Sequence, residues 1–205
     1  MKRKYLIVAT LTPFLVFLDQ FTKWLVMKHM HVGQSISVIP GLLSWYYLEN
    51  PGAAFGLFRN MPESFRGYFF PIISIVAILV VLYYLSQSDD EKIFFPVSLA
   101  FVIAGAMGNL TDRIRFDKVV DFVLFEATFM GDGVVDTMNR WFNTHSWPSF
   151  NVADTLIVVG IFGMSIDLLF FTPFDEDAED ESETTAEESE TEQSDDALDQ
   201  PDSED

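Results

Sequence analysis

The chain contains no cysteine, which excludes disulfide bonds, a thiol nucleophile and a cysteine-linked lipid anchor. Basic residues are also missing from residues 175–205, which hold 17 acids and no lysine, arginine or histidine. The rest of the chain has 14 acids against 12 bases, so the net charge of −19 comes from a tail. A Glu/Asp/Ser/Thr-rich composition is typical of disorder. We therefore predict a disordered acidic tail over 174–205, acting as a solubilising tether or, alternatively, in binding.

Residues 1–173 contain four long apolar runs, and stretches such as residues 71–85 lack any polar face. The four runs are Tyr5–Met27, Tyr68–Leu85, Ile93–Leu110 and Val152–Phe171. About 18–20 helical residues cross a hydrocarbon core of ~30 Å, so each run is long enough to span a membrane. A soluble protein with four buried helices is the alternative, but helices that are apolar all round favour lipid. No small-residue cleavage site follows the first run, which predicts an uncleaved span rather than a signal peptide.

The predicted fold class is an all-α membrane protein with four transmembrane helices. Four spans place both termini on one side of the membrane and the large loops, about 28–67 and 111–149, on the other. Lys2, Arg3 and Lys4 favour cytoplasmic termini. The loops carry their own basic residues, which favour the opposite orientation: Lys28, Arg59, Arg66, Arg115, Lys118 and Arg140. Charge alone therefore leaves the orientation open.

Both large loops contain patterns of local structure. Residues 35–39 alternate polar and apolar side chains and 42–49 are aromatic and apolar, which predicts two strands of a small sheet at the membrane surface. Trp45, Tyr46 and Tyr47 would be its interfacial aromatics. The second loop has one apolar stripe at helical spacing, which predicts a short interfacial helix or an ordinary structured loop. The stripe comprises Val134, Val135, Met138, Trp141 and Phe142.

Two acids lie at the ends of consecutive spans. Asp121 follows the third run and Asp154 opens the fourth, so both belong to the same membrane face. Asp154 alone is explained by the first turn of a helix that Asn151 caps. Helix capping does not explain a second acid on the same membrane face. Ionisable groups at a membrane span are energetically costly, so two of them suggest a function. Two close carboxyls share one proton and can activate water for amide hydrolysis without a metal.

Polar residues cluster near these acids. Asn109, Asp112 and Arg113 are spaced i, i+3, i+4 and would share one face if the third helix continued. A capped helix end with Arg113 reaching toward water is the alternative. Gly105 and Gly108 would permit close helix packing or substrate approach. Asp19 and Lys23 form an i, i+4 pair in the first run, which predicts a structural ion pair.

Five sequence blocks resemble lipoprotein signal peptidase, also called signal peptidase II. The blocks are DQFTK (19–23), NPGAAFG (50–56), AGAMGNLTDR (104–113), VVDF (119–122) and FNVAD (150–154). They occur in the family's order and span positions and cover most of residues 15–170. The combination of GN-x-x-DR, VVDF and FN-x-AD is highly specific.

The resemblance implies a four-span aspartic endopeptidase of the bacterial inner membrane that cleaves prolipoproteins before the diacylglyceryl-modified cysteine. It implies the catalytic pair Asp121 and Asp154. Substrate contacts or support of the pair are implied for Asn50, Gly52, Asn109, Asp112, Arg113, Asn151 and Ala153, with Asp19 and Lys23 matching the first block. It further implies cytoplasmic termini, an extracytoplasmic site, inhibition by globomycin and no metal or other cofactor. The expected partners are lipidated prolipoproteins and membrane lipid, with no nucleic acid, and the expected state is a monomer.

Three features depart from the family pattern. Asp117 stands where the family usually has glycine, the 121–154 connection is long, and a second VVD ends at Asp136. We prefer Asp121 because it lies nine residues after Asp112 and precedes Phe122. Three other functions are considered: a transporter that uses intramembrane acids as relays, a metal-dependent hydrolase, and an inactive homologue that binds lipoproteins. In the metal-dependent case Asp112, Asp121 and Asp154 would be the ligands.

Overall fold

The structure is a computed structural model that describes residues 2–52, 61–90, 92–126, 131, 133, 136–137 and 147–170. It contains four long helices: α1 (Arg3–His29), α2 (Glu63–Gln87), α3 (Phe94–Phe116) and α4 (Val152–Phe170). Each is long and apolar enough to cross a membrane, which confirms the predicted four-span architecture. The contacts described below lie within the compact unit Met1–Asp167.

Helices α2 and α3 extend furthest beyond the predicted spans. α2 begins at Glu63 rather than Tyr68, and α3 continues past Leu110 to Phe116. The polar end of α3 stays helical because Asn109 and Asp112 are buried against protein rather than exposed to lipid. Asp117 caps the end of the helix, and its N–H donates to the Arg113 carbonyl at 3.0 Å. The predicted common face of Asn109, Asp112 and Arg113 is therefore part of a continuous helix.

Helix α3 is the central element of the bundle. Of its most apolar stretch 61% is buried inside the protein, against 17–28% for the other three helices. Glycines bring α3 and α4 into close contact: a Cβ at Gly160 would lie 2.6 Å from the Val102 side chain and 2.7 Å from the Ser98 carbonyl. A Cβ at Gly105 would collide with the Ala153 carbonyl and Ile157. The predicted role of Gly105 in close helix packing is confirmed.

Apolar packing dominates the end of the bundle where α1 begins, which we call the terminal end. Helices α1, α2 and α3 share a buried cluster there: Val8, Val81, Leu85, Leu99, Ala100, Val102 and Ile103. Further along, Leu15, Ala104 and Leu156 join α1, α3 and α4. The opposite end, where a small sheet lies, is called the sheet end and holds most of the buried polar residues.

The sheet has three antiparallel strands in the order β1–β2–β3: β1 (Ser35–Ile39), β2 (Leu43–Asn50) and β3 (Val119–Phe125). The two predicted strands are confirmed, whereas β3 was not predicted. Tyr47 is buried against Met30 and Val120, so its prediction as an interfacial aromatic is wrong. The physical reason is an irregularity between Trp45 and Leu48 that disrupts strict alternation, leaving Trp45 exposed.

Two predicted features fall wholly or largely outside the described residues. In the second loop, the described residues 133 and 136–137 are helical, but the apolar stripe lies outside the described part. The acidic tail also lies outside it.

Candidate active site

Asp121 lies in the middle of β3, whose β-branched and aromatic side chains favour a strand. Only 2% of its surface is exposed. Its Oδ2 accepts a hydrogen bond from Asn50 Nδ2 at 2.9 Å, and its Oδ1 accepts one from Asn151 Nδ2 at 2.8 Å. Asn50 ends the neighbouring strand β2, so sheet pairing brings its amide to this carboxyl. Neutral donors thus hold both oxygens of Asp121.

Asn151 and Asp154 cap the start of α4 reciprocally. Asn151 Oδ1 accepts the Asp154 N–H at 3.0 Å, and Asp154 Oδ2 accepts the Asn151 N–H at 3.1 Å. This satisfies backbone donors that have no partner within the helix and confirms the predicted cap. The helix dipole also stabilises a negative charge in the first turn. Because Asn151 also donates to Asp121, one residue contacts both acids.

Asn109 supplies the remaining contact to Asp154. Its Nδ2 donates to Asp154 Oδ1 at 2.8 Å. Its Oδ1 accepts hydrogen bonds from Lys23 Nζ and Asn151 Nδ2, both at 3.1 Å. An ammonium can only donate, so Lys23 fixes the amide with its oxygen toward α1 and its NH2 toward Asp154. All four carboxyl oxygens of Asp121 and Asp154 therefore accept a hydrogen bond.

A buried ion cluster lies behind these amides. Lys23 Nζ is 2.9 Å from Asp19 Oδ2 and 2.9 Å from Asp112 Oδ2, which confirms the predicted Asp19–Lys23 pair and adds Asp112 to it. Gln20 Nε2 lies 2.8 Å from Asp112 Oδ1 and 3.1 Å from Asp19 Oδ2. Buried charges require such compensation. Among the described residues, no group of three or more His, Asp or Glu side chains is arranged to hold a metal.

Arg113 packs on an aromatic ring of the neighbouring helix. Its Cζ lies 4.9 Å from the ring centroid of Phe70 in α2, which is cation–π geometry. Its Nη1 also lies 3.4 Å from the Asn109 carbonyl oxygen. These contacts favour an Arg113 directed by protein packing, rather than one reaching toward water.

Both acids line one cavity of about 530 Å³, a size that suits a small ligand or a peptide segment. Its polar lining comprises Asn50, Gly52, Asn109, Arg113, Asp121, Ser149, Asp154 and Thr155. Its apolar lining comprises Val119, Trp147, Pro148, Phe150, Ile157, Val158 and Val159. Val158 and Val159 are 66% and 47% exposed, and exposed apolar residues of a membrane span contact acyl chains. The apolar wall is therefore continuous with the lipid-facing surface of α4.

The electrostatic environment makes Asp121 unusual. Burial, followed by the neighbouring charge of Asp154, raises the pKa of Asp121 to about 7, while Asn50, Asn151 and Lys23 oppose this increase. A carboxyl group with a pKa near neutrality can be protonated or ionised under physiological conditions. Perturbed groups of this kind in a cavity are typical of acid/base sites.

A sequence profile for the family described as signal peptidase (SPase) II matches residues 11–170. The chain belongs to the signal peptidase II family. It is similar to proteins named lipoprotein signal peptidase from Syntrophus aciditrophicus, at 38% identity over 82% of this chain and 95% of that protein, and Geobacter metallireducens, at 35% over 82% and 94%. A protein of that name from Listeria monocytogenes is 36% identical over 74% and 85%.

Two solved structures of bacterial membrane enzymes also match this signal peptidase II. One, at 1.9 Å resolution, has a TM-score of 0.64 and 28% identity, covering 80% of this chain and 94% of that one. The other, at 2.3 Å, has a TM-score of 0.63 and 29% identity, covering 79% and 87%. The family assignment made from the sequence blocks is confirmed. The chain is accordingly a multi-pass membrane protein and an aspartic endopeptidase.

The residues predicted from the signal peptidase II resemblance occupy two layers. Asn50, Gly52, Asn109, Arg113, Asp121 and Asp154 line the cavity. Asp19, Lys23, Asp112, Asn151 and Ala153 are buried. Ala153 contributes its backbone, since its N–H donates to Asp19 Oδ1 at 2.9 Å. Asp136, the alternative acid, is exposed and is not among the lining residues.

Sequence reasoning missed several residues of this signal peptidase II site. Gln20 bridges the two carboxylates of the ion cluster, and its only sequence signal is its position beside Asp19. The ring of Phe70 packs against the Arg113 guanidinium group, and no local sequence pattern distinguishes Phe70 from the other aromatic residues of α2. Trp147 and Pro148 line the cavity directly before the FN-x-AD block, where an adjacent Trp-Pro pair was a usable signal.

Asp117 takes the backbone conformation that its position demands. Its φ of 58° lies in the left-handed region, which favours glycine but which aspartate tolerates better than most residues. The turn before β3 therefore has the left-handed conformation expected of a glycine, even though aspartate occupies the position.

Proposed function

We propose that Asp121 and Asp154 hydrolyse the peptide bond that precedes the lipidated cysteine of a prolipoprotein bound in this cavity. The single observation that carries the proposal is that Asn151 bonds both acids where they line the same cavity. The family removes signal peptides from prolipoproteins, and the similar proteins bear the name lipoprotein signal peptidase. The catalytic role of each residue is our assignment.

The resting state would have Asp121 protonated and Asp154 ionised. Burial and the Asp154 charge keep the pKa of Asp121 at about 7. Asp154 accepts N–H groups from Asn109 and Asn151 in the first turn of α4, where the helix dipole favours negative charge. The two acids are thereby distinguished by their surroundings, as acid/base pairs in enzymes commonly are.

Hydrolysis would follow from these states. Asp154 takes a proton from a water molecule while the water oxygen bonds to the carbonyl carbon, and Asp121 donates its proton to the carbonyl oxygen. The tetrahedral intermediate then collapses as Asp121 recovers that proton, the C–N bond breaks, and Asp154 transfers its proton to the leaving amine. The products are a carboxyl group on the signal peptide and a free amine on the lipidated cysteine. No covalent intermediate is needed.

The cavity walls suit a substrate that is part peptide and part lipid. Arg113, Asn50 and Asn109 present polar groups to the peptide, whereas Val158 and Val159 lead to the lipid-facing surface. A diacylglyceryl group would thus remain among lipid chains while the peptide bond lies between the acids. Desolvation in such a cavity strengthens each electrostatic interaction.

Our proposal includes the membrane orientation and the assembly state. The sheet and the cavity would lie at the extracytoplasmic face of the bacterial inner membrane, with both termini in the cytoplasm. Lys2, Arg3 and Lys4 support this orientation. A monomer would suffice, because one chain supplies both acids and all of the contacts to them described above.

A gel-shift cleavage assay tests this function. Purified protein in detergent receives a diacylglyceryl-modified prolipoprotein, with Asp121→Asn and Asp154→Asn beside wild type, each with and without a strong chelator. Asp136→Asn is the matched control, because Asp136 also ends a Val-Val-Asp tripeptide but is exposed. We expect cleavage by wild type and Asp136→Asn, and none by the two other variants. Normal cleavage by either dyad variant would end the proposal, and loss of wild-type cleavage only with chelator would favour a metal-dependent hydrolase.

A further inference from the structure

Two buried carboxylates each hold the residue that precedes one acid of the dyad. Asp19 Oδ1 accepts the backbone N–H of Ala153, directly before Asp154, at 2.9 Å. Asp112 Oδ2 accepts the backbone N–H of Val120, directly before Asp121, at 3.1 Å. The two anchors come from different helices, α1 and α3, and reach different elements, α4 and β3. The backbone positions of both dyad acids are therefore tied to this pair of carboxylates.

Lys23 joins the two anchors. Its Nζ lies 2.9 Å from an oxygen of Asp19 and 2.9 Å from an oxygen of Asp112, with 0–1% of each side chain exposed. Gln20 Nε2 is within hydrogen-bond distance of the same two carboxylates and closes a ring of four side chains. Neither carboxylate can move away from Lys23 without leaving buried charge uncompensated. The ring therefore maintains the spacing between its two carboxylates.

Gly108 provides the space that the ring occupies. A Cβ at this position would lie 2.5 Å from Asp19 Oδ2 and 3.2 Å from the Ala153 Cβ. Real Cβ atoms do not approach an oxygen that closely, so a side chain here would push Asp19 and Ala153 away from α3. The glycine thus allows the anchor of α4 to lie against the helix that carries Asp112.

We propose that the Asp19–Lys23–Asp112 ring is a spacing device, and that Lys23 acts as a positioning residue for the separation of Asp121 and Asp154. The inference rests on the proposed function and deepens it. Separation matters because two carboxyls share a single proton only when they are close enough to repel each other as anions. A ring that held the acids further apart would weaken the repulsion that adds to the effect of burial on Asp121, and so would reduce the fraction of molecules that carry the proton donor at neutral pH.

The charged groups around Asp121 must be held constant in any test of spacing. They come from α1 and α3 and from the start of α4, and comprise Asp19, Lys23, Asp112, Arg113 and Asp154. Glu49 on β2 is paired with Lys118, so that strand adds no unpaired charge beside Asp121. Substitutions that neutralise any of these groups would change the pKa of Asp121 directly. The informative variants therefore move the ring while keeping every charge.

Gly108→Ala is such a variant, and Gly67→Ala is its matched control. Gly67 lies in α2, and a Cβ added there would have nothing within 4 Å, so the same change at this position is free of contact. Asp19→Glu is the second variant, because it keeps the charge and lengthens the anchor by one methylene. Thermal melts in detergent establish that each variant folds. Asp19→Glu decides the question if Gly108→Ala does not fold.

Three quantities are measured for each folded variant: kcat, KM and the pH dependence of kcat on a diacylglyceryl-modified prolipoprotein. We expect Gly108→Ala to lower kcat by roughly 10- to 100-fold, since displacements of about 1 Å have such effects. KM should stay within about twofold because Gly108 itself does not line the cavity. The high-pH limb should move to lower pH because the acids repel each other less. A folded variant with the kcat and pH profile of Gly67→Ala would overturn the proposal.

Infrared titration of the dyad carboxyl separates this inference from the proposed function. The protonated-carboxyl band that Asp121→Asn removes reports the protonation of Asp121 without any turnover. We expect its midpoint to fall in Gly108→Ala and to stay unchanged in Gly67→Ala. If wild type does not cleave the lipidated substrate, the proposed function fails, while this titration still decides whether the ring controls the pair. An unchanged midpoint in folded Gly108→Ala and Asp19→Glu would reject the spacing role.

Discussion

Helix α1 carries a buried lysine near each of its ends, and the two are compensated in different ways. Lys4 is 2% exposed, and its Nζ donates to the backbone carbonyls of Ser86 and Ser88 at the end of α2. Lys23 is 0% exposed and lies between two carboxylates. The first ammonium satisfies carbonyls that the helix leaves unpaired, whereas the second balances full charges. At the terminal end a lysine binds the last carbonyls of α2, and at the sheet end a lysine neutralises two carboxylates behind the candidate active site.

The surroundings of the two lysines explain this difference. At the terminal end, Lys4 lies beside the apolar cluster around Leu85 and Leu99, where helix association depends on packing. At the sheet end, buried polar residues take the place of much of this packing, and each has several defined partners. Polar networks of this kind contribute positional specificity more than stability. Damage at the terminal end should therefore lower stability alone, and damage at the sheet end should lower turnover as well as stability.

Lys23→Met, at the sheet end, should have the largest effect on both turnover and stability. Removing the ammonium leaves Asp19 and Asp112 without their shared cation, and breaking a buried pair costs about 3–5 kcal/mol of folding free energy. It also removes one of the two hydrogen bonds to the oxygen of the Asn109 amide, whose NH2 group donates to Asp154. We expect loss of turnover of at least ~100-fold in the folded fraction, because misplaced catalytic groups lose about that much. Cleavage kinetics and a thermal melt in detergent measure both effects.

The reference for this change is the same substitution at Lys4. If Lys23→Met cleaved the lipidated substrate at the wild-type rate, the sheet-end lysine would be structural only and the contrast between the two ends would disappear.

A pH profile sharpens the account of the sheet end. Asp121 must be protonated to donate to the carbonyl, and its pKa of about 7 places the loss of that proton near neutral pH. For an acid, raising the pH above the pKa removes the proton, so kcat should fall about tenfold for each pH unit above ~7. Below that pH, Asp121 keeps its proton, so the fall in kcat that its ionisation causes should disappear. Single-turnover cleavage from pH 5 to pH 9, over about four pH units, tests this.

The control for the pH profile is a thermal melt at each pH of the same range. It shows whether the fall in kcat at high pH comes from unfolding rather than from loss of the Asp121 proton. A rate that keeps rising above pH 8 would contradict protonated Asp121 as the donor, because the reactive form would then be the fully ionised pair.

Lys4→Met tests the terminal end and should have a smaller effect. The variant loses two hydrogen bonds to helix-end carbonyls, and charged hydrogen bonds contribute about 1.5–3 kcal/mol each at most. We expect a loss of about 2 kcal/mol in unfolding free energy, with kcat of the folded protein within twofold of wild type. A denaturant titration in mixed micelles measures the first quantity. A large fall in kcat without loss of stability would show that the terminal end also controls the site.

The elements that sequence predicted well are those whose signal is local. Helix length and apolar composition identified the four spans, and the Asn-x-x-Asp spacing identified the cap of α4 before any contact was known. Asp121 and Asp154 were expected on one face from span topology alone. The structure brings them to one cavity because β3 pairs with β2 and the start of α4 packs on α3.

The elements that sequence missed depend on contacts between distant segments. The side chains of β3 favour a strand, but its place in the sheet depends on pairing with β2, which lies far away in the sequence. Tyr47 turns inward because the β2–β3 register shifts, which strict alternation cannot anticipate. Gln20 and Phe70 matter only through partners about 90 and 40 residues away, a separation at which sequence periodicity carries no signal.

Asp117→Gly has the smallest expected effect and compares two helix ends directly. At the end of α2, a free backbone carbonyl accepts a hydrogen bond from the distant Lys4. At the end of α3, the chain leaves the helix through the left-handed backbone conformation of Asp117. A residue with a Cβ pays about 1 kcal/mol for that conformation, and glycine does not. We expect Asp117→Gly to raise unfolding free energy by up to ~1 kcal/mol with kcat unchanged, and Asp117→Val to lower it. Melting temperatures of both variants test this, and a lower value for Asp117→Gly would mean that the aspartate side chain itself stabilises the turn before β3.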